Sequence, residues 1–221
     1  MSPEYTAADD AEVVALVRDG YDSVAAAYAR YVATPGERPR DGWLERLLEL
    51  LPAGATVLEL GAGSGVPTAT VVVGRGHRYL GIDISGEQLN IARQHVPAAT
   101  FVQADICSVS FEDQSLDAVI ALYSLTHIRR ENYPELLARI RGWLKPGGWF
   151  LATFGTGNSA GWLEEDFLGF GGSSWTNSYD VATTVGLLRD AGFHSDAGAV
   201  KVVEQQEDWG AERWLFVLAQ P

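Results

Sequence analysis

Residues Ala55 to Thr68 read A-T-V-L-E-L-G-A-G-S-G-V-P-T, and this stretch decides the fold. Val57, Leu58 and Leu60 supply the near-continuous apolar run of a buried parallel strand. The run breaks into Gly61, Gly63 and Gly65, with only Ala62 and Ser64 between them. Three glycines in five positions let the backbone take positive φ and let a ligand approach where no Cβ intervenes. Val66, Pro67 and Thr68 then open a helix, with proline near the first turn, where its missing N–H costs least. Strand, glycine turn and helix N-terminus predict a nucleotide-type crevice at the carboxyl end of a parallel strand.

Outward from this stretch the chain alternates strand and helix. Tyr79 to Ile82 is a predicted strand closed by Asp83, and Ser85 caps a helix reaching His95, with Glu87 and Gln88 in its first turns. Thr100 to Ala104 is a third strand, ending at Asp105, and Leu116 to Leu122 is a fourth. A helix over Glu131 to Trp143 and the turn Lys145-Pro146-Gly147-Gly148 lead to a fifth strand, Trp149 to Phe154. Such alternation predicts an α/β fold, a doubly wound parallel sheet with helices on both faces. Residues Gly155 to Tyr179 break the rhythm, and an insertion this long reads as a functional lid. Asp180 then caps a helix stopped by Gly192, and strands near Val200 to Glu204 and Trp214 to Ala219 form an antiparallel hairpin.

Upstream, Val13, Leu16, Val17, Tyr21, Val24, Tyr28 and Tyr31 fall at helical spacing, in one or two helices interrupted near Gly20. Thr34 to Arg40 is a loop, and Asp41 is placed to cap a helix through Leu50. The expected organisation is one domain over 1–221: an N-terminal helical cap (1–40), a ligand-binding core (41–155), a lid and acceptor segment (156–180), and a C-terminal helix and hairpin (181–221).

Sixteen basic against 29 acidic residues give a formal charge of −13, which repels phosphate backbones and anionic lipids. No nucleic-acid or membrane partner is therefore expected, and no Lys/Arg cluster stands out; the only lysines are Lys145 and Lys201. The acidic N-terminus lacks the pattern of a signal peptide. One cysteine, Cys107, excludes an internal disulfide and a cysteine-based zinc site, so no metal and a reducing, cytoplasmic setting are expected.

An acid closes each of the first three strands: Glu59, Asp83 and Asp105. In a doubly wound sheet these ends line one crevice. An acid after the second strand suits a pair of ribose hydroxyls, one after the third suits an exocyclic amine, and one in the first suits an ammonium.

V-L-E-L-G-A-G-S-G (57–65), Y-L-G-I-D-I-S (79–85), F-V-Q-A-D-I (101–106) and L-D-A-V-I-A-L-Y-S-L-T-H-I (116–128) resemble the successive motifs of class I S-adenosylmethionine-dependent methyltransferases. L-K-P-G-G-W-F-L-A-T-F-G (144–155) resembles that family's turn and fifth strand, and the terminal hairpin fits its reversed last strand. The resemblance covers about Asp41 to Gly155. It implies a Rossmann-like sheet of seven strands, mostly parallel with the last reversed, and S-adenosylmethionine as cofactor. Gly61, Ala62, Gly63, Ser64 and Gly65 would pass under its methionine part, with Glu59 at the amino group. Asp83 would hold the ribose hydroxyls, with Ile84 against the adenine; Asp105 would take the adenine amino group and the Ile106 N–H a ring nitrogen, with Gln88 and Ala104 also among the cofactor-binding residues. Leu122 and Tyr123 complete the expected cofactor-binding set. The segment G-Y-D-S-V-A-A-A-Y-A-R-Y (20–31) also looks like one in small-molecule members such as the ubiquinone-biosynthesis-like group, where tyrosines close over the cofactor. Tyr21 and Tyr28 match best, and Tyr31 reads as core.

The fourth strand delivers Tyr123, Ser124 and His127 opposite the expected methyl group. An imidazole titrates near neutrality, so His127, with Tyr123 beside it, is the candidate base or acceptor-orienting group; a cap or core histidine is the alternative. His77, His95 and His194 read as solvated. Trp162, Trp175 and Tyr179, with Phe167, are expected to wall the acceptor pocket. No Asn/Asp-Pro-Pro-aromatic turn follows the fourth strand, so the expected acceptor is a small molecule. Two alternatives stand beside this reading. A nicotinamide-dependent oxidoreductase would need glycine where Val66 lies, and a cofactor-binding protein without methyl transfer would carry the same motifs.

Overall fold

In the computed structural model the described residues are 9–34, 38–195, 199–207 and 210–221. The strands are β1 (Thr56–Leu60), β2 (Arg78–Asp83), β3 (Thr100–Gln103), β4 (Leu116–Ala121), β5 (Leu144–Gly155), β6 (Ser159–Glu164), β7 (Ser174–Ser178), β8 (Val200–Glu207) and β9 (Gly210–Ala219). The helices are α1 (Asp10–Ala33), α2 (Pro39–Leu50), α3 (Thr68–Gly74), α4 (Gly86–His95), α5 (Tyr133–Trp143) and α6 (Val181–Asp190). Seven strands form one sheet in the order β3-β2-β1-β4-β5-β9-β8. β1 pairs in parallel with β2 and β4, and β9 runs antiparallel between β5 and β8. Chain order reverses between β1 and β4, so the ligand crevice opens above their carboxyl ends.

Period-two alternation sorts the sheet's side chains into two layers. Leu58 and Leu60 of β1 face the cluster built with Leu136, Leu137, Ile140 and Trp143 of α5 and Leu188 of α6. Val57 faces the opposite cluster, with Leu44, Leu47 and Leu48 of α2, Val72 of α3 and Leu89 of α4. Burial of this kind contributes about 1.5–3 kcal/mol per large aliphatic side chain.

α1 runs unbroken through Gly20, contrary to the expected interruption. Gly20 is there because a neighbour needs the room: a Cβ on it would lie 1.8 Å from the carbonyl oxygen of Ser173. Asp41 sits within the first turn of α2, which begins at Pro39 because the ring presets the helical φ; Asp41 is not its cap. Ser85 does cap α4, accepting from the Gln88 N–H, and Asp180 caps α6 through the Thr183 N–H. The fifth strand starts earlier than expected, at Leu144, because the Lys145–Gly148 turn is absorbed as an irregularity in its pairing with β4.

The expected lid is a β-hairpin, with β6 antiparallel to β7. A two-stranded ribbon cannot hold itself in water, so it needs an apolar partner. Trp175 of β7, 2% exposed, packs with Val13 and Val17 of α1. α1 is pinned in turn to α4: Asp22 Oδ1 accepts from Ser85 Oγ at 2.5 Å and from the Glu87 N–H at 3.1 Å. Helix and hairpin together roof the crevice. Among the described residues no helix is long and apolar enough to cross a membrane.

Candidate active site

The glycine loop leaves β1 with Gly61, Gly63 and Gly65 at φ +85°, +51° and +75°. The amides of Gly61 and Ala62 donate to the Ile82 carbonyl, at 2.8 and 2.9 Å, which ties the loop to β2. Gly63 donates its N–H to Asp83 Oδ2 at 2.7 Å, and the Ser85 N–H donates to Asp83 Oδ1 at 2.9 Å. A Cβ on Gly63 would meet nothing within 4 Å, so the loop leaves open space on that side. Burial raises the Asp83 pKa, against the lowering effect of its bonds from Ser85 and Gly63. Asp105 is folded back in a similar way, accepting from the Cys107 N–H at 2.9 Å and from Ser108 Oγ at 2.8 Å.

A cavity of about 350 Å³ lies over these ends. Its floor is Gly61, Gly63, Asp83, Asp105, Leu122 and Tyr123; Ile84 and Ile106 form a wall; Val13, Val17, Tyr21 and Tyr28 of α1 form the roof. A second cavity, of about 360 Å³, adjoins it under the hairpin. Tyr21, Tyr28, Tyr123 and His127 line both.

His127 sits in a 3₁₀ turn, Leu125–His127, just past β4. Its Nδ1 lies 2.8 Å from the Trp175 carbonyl oxygen. A carbonyl only accepts, so Nδ1 carries the proton and Nε2 is left as the acceptor. Tyr21 Oη, 2.9 Å from Nε2, therefore donates to it. Burial pushes the His127 pKa below its ordinary 6.5, against the raising effect of the Trp175 carbonyl. Burial likewise drives the Tyr21 hydroxyl well above 10, with Tyr28 and Asp83 adding to it. At neutral pH the pair is thus an uncharged phenol donating to an uncharged imidazole. Tyr123 follows β4 at φ +60°, a conformation costing a non-glycine residue about 1–3 kcal/mol. Its N–H donates to Thr153 Oγ1 at 2.5 Å and its ring meets Trp214 edge-on, which hold it between the cavities.

Residues 57–148 match a family model described as a methyltransferase domain. Phosphoethanolamine N-methyltransferase 1 of Triticum aestivum is 37% identical over 112 residues, which are 46% of this chain and 22% of that protein. The 2-phytyl-1,4-naphtoquinone methyltransferase of Thermosynechococcus vestitus is 35% identical over 111 residues, 48% of this chain and 46% of that one. Among solved structures, 1,6-didemethyltoxoflavin-N1-methyltransferase of Burkholderia thailandensis, with bound 1,6-didemethyltoxoflavin and S-adenosylhomocysteine, aligns at a TM-score of 0.70 and 21% identity. That alignment covers 98% of this chain and 92% of the other. Over residues 57–148 this chain is therefore similar to a methyltransferase domain, and its fold is that of solved S-adenosylmethionine-dependent methyltransferases. The chain spans less than half the length of either curated relative. The nicotinamide-dependent alternative fails on topology as well as on Val66, since β9 is reversed and inserted between β5 and β8.

The fold brings Tyr21, Tyr28, Gly61, Gly63, Asp83, Ile84, Asp105, Ile106, Leu122, Tyr123 and His127 to one cavity. Others lie elsewhere. Glu59 shares the Val57 face of β1 and is 3% exposed; Tyr79 Oη donates to its Oε2, so it does not face the cavity. Burial raises the Glu59 pKa to about 8, against the lowering bonds from Tyr79 and Thr68. Ala62, Ser64, Gly65, Gln88 and Ala104 support the loop and α4 without lining the cavity. Gln88 is fully buried, and its side-chain amide has no partner among the described residues.

The expected aromatic walls need correcting. Trp175 is spent on the hairpin's packing against α1, and Tyr179 rests edge-on against Tyr133 with the Arg130 guanidinium over its face. Trp162 projects outward from β6 at 37% exposure. None of the three lines either cavity, whereas Phe167 lines the second. Tyr31, read as core, also lines the second cavity, together with Arg38, Arg40, Arg213 and Trp214. Sequence reasoning missed these because they come from α1, α2 and β9, and only tertiary packing joins them. Cys107 lines the first cavity; burial, with Asp105 adding, pushes its thiol up to about 12, so it stays protonated. Among the described residues no group of three or more His, Cys, Asp or Glu side chains is placed to hold a metal ion.

Proposed function

We propose that this protein transfers a methyl group from S-adenosylmethionine to a small-molecule acceptor, with the cofactor in the first cavity and the acceptor in the second. The observation that carries this reading is the junction: two chambers of similar volume meet at one hydrogen-bonded phenol–imidazole pair. A protein that bound the cofactor only as a scaffold would have no use for the second chamber.

The first cavity fits the cofactor in shape and chemistry. The space beside Gly63 admits a ligand backbone where a side chain would exclude it. Each Asp83 oxygen accepts one backbone N–H and keeps a lone pair for a ribose hydroxyl. Asp105 faces the same cavity between Ile84 and Ile106, which offer apolar walls to a purine. Glu59, already bonded to Tyr79, acts behind the loop and not at the ammonium directly. In this reading the core within 41–155 holds the cofactor beneath α1, and the hairpin within 156–180 closes over the acceptor.

When bound, S-adenosylmethionine supplies an electrophilic methyl on a sulfonium, a good leaving group. The chain's own task is then to align the acceptor and remove its proton. Tyr21 Oη takes the proton from the acceptor's hydroxyl or amine while giving its own to His127 Nε2. The imidazolium so formed keeps its Nδ1–H on the Trp175 carbonyl, which favours the charge. The buried site excludes water from this transfer.

Two measurements test the proposal. Calorimetry and thermal shift should show binding of S-adenosylmethionine and S-adenosylhomocysteine, and none of NAD(P)H. A panel of small hydroxyl and amine acceptors, read by release of S-adenosylhomocysteine, should then yield turnover. Stabilisation by NAD(P)H alone sinks the reading.

A further inference from the structure

In a chain of net charge −13, three arginines converge on one chamber. Arg38 and Arg40 come from the start of α2, and Arg213 comes from β9. Arg40 is 9% exposed, deep for a guanidinium with five N–H donors. Its Nε lies 3.4 Å from Asp41 and one terminal nitrogen donates to the Val32 carbonyl at 3.1 Å. Among the described residues those bonds leave most of its fork unused. Arg38 lies over the Tyr31 ring at 4.5 Å and spends one donor on the Tyr31 carbonyl, at 3.1 Å. A buried or half-buried guanidinium with spare donors is costly unless an anion meets it.

Orphaned groups border the chamber. Thr126 and Asn177 line it and are 4% and 3% exposed, yet Thr126 Oγ1 and Asn177 Oδ1 have no partner among the described residues. The Asn177 amide cannot be flipped to remove the problem. Its Nδ2 donates to the carbonyls of Thr126 and Ile128, which fixes Oδ1 as a bare acceptor. With almost no accessible surface of their own, Thr126 Oγ1 and Asn177 Oδ1 sit behind the chamber wall and do not face a ligand. Charge is also divided across the chamber. Tyr28 feels Arg40 and Arg38, whereas Tyr21 feels Glu164. The other carboxylate lining it, Glu212, accepts from the Trp214 indole N–H at 3.0 Å.

We propose that the acceptor is a small anion: its carboxylate or phosphate group is held by Arg38 and Arg40, and its hydroxyl or amine is presented to Tyr21 beside His127. This rests on the reading of the second cavity as the acceptor site, and it reverses what the overall charge favours. An acidic surface disfavours anions at long range, but the fork donors decide binding once the ligand is inside.

The test is calorimetric titration of the protein loaded with S-adenosylhomocysteine, using benzoate, phenyl phosphate and the neutral benzamide. Benzoate or phenyl phosphate binds at least about tenfold more tightly than benzamide, and more weakly as salt rises. The tighter of the two identifies the anionic group. Arg38→Gln and Arg40→Lys each weaken that anion by about tenfold or more, the size of a charge-assisted bond, with S-adenosylhomocysteine affinity unchanged. Arg40→Lys keeps the buried charge and Arg38 is only half-buried, so the variants retain the fold. Benzamide binding as well as the anions, no binding by either anion, or variants that leave anion affinity intact each overturn the proposal. Failure of the wild type to bind S-adenosylhomocysteine at all instead sinks the methyl-transfer reading, and this inference with it.

Discussion

Replacing Tyr21 with Phe isolates the proton path from everything else that Tyr21 does. The ring stays, so its edge contacts with Tyr28, His127 and Phe167, at 5.2 to 5.3 Å, are kept. One hydroxyl is lost, and with it the bond that satisfies His127 Nε2. Leaving that buried acceptor bare costs about 1–3 kcal/mol, offset in part because a phenyl ring is cheaper to bury than a phenol. Turnover should fall much further, by about 10²–10⁴-fold, the contribution of a positioned acid–base group. The pH profile adds a second readout. His127 accepts a proton only when neutral, and burial holds its pKa below 6.5. The wild-type rate should therefore be level above pH 6.5 and fall on the acid side as His127 protonates. In Tyr21→Phe the residual rate should lose that acid limb, since it no longer runs through His127. Initial rates of S-adenosylhomocysteine release across pH measure both, and calorimetry checks that cofactor affinity stays within about threefold of wild type. A variant that turns over within about threefold of wild type with its acid limb intact would refute the relay.

Asp83→Ala should weaken S-adenosylhomocysteine by about 1–3 kcal/mol in calorimetry, and it also strips partners from the Gly63 and Ser85 amides, so the melting temperature falls too; unchanged affinity would mean that the ribose is not there. Glu59 holds its proton in the fold up to about pH 8 but loses it near 4.5 when unfolded, so its contribution is fully present below pH 4.5 and lost as pH rises toward 8. Glu59→Gln should remove this loss, gaining about 3–5 kcal/mol over wild type at pH 8 relative to pH 4.5; urea unfolding at both pH values checks it, and an identical difference at each would refute it. Gly20→Ala should destabilise by about 1–3 kcal/mol despite the gain of about 0.5–1 expected inside a helix, because Ser173 must move out of the way; a raised melting temperature would show that the hairpin does not press on α1.

How much of this molecule is written in short segments determines how much the sequence reveals. The glycine loop, Asp83 and Asp105 are legible because strand ends and turn residues fix their own backbone, and the parallel order then brings them together. His127 is legible for the same reason, lying six residues beyond the last residue of β4. The Glu59 orientation was legible too, since period-two alternation puts it on the face of Val57 and opposite Leu58 and Leu60. The second chamber is different in kind. Its cations come from α2 and β9, its other walls from α1, β7 and the turn after β4, and no local pattern links them. The Trp and Tyr content of the hairpin points the wrong way because a ribbon without a core of its own must use its largest side chain as an anchor. Trp175 therefore faces α1, and only its backbone carbonyl reaches the site. That single carbonyl ties the hairpin to the proposed relay: it fixes the tautomer of His127, so in that relay docking of the roof and readiness of the base are one event.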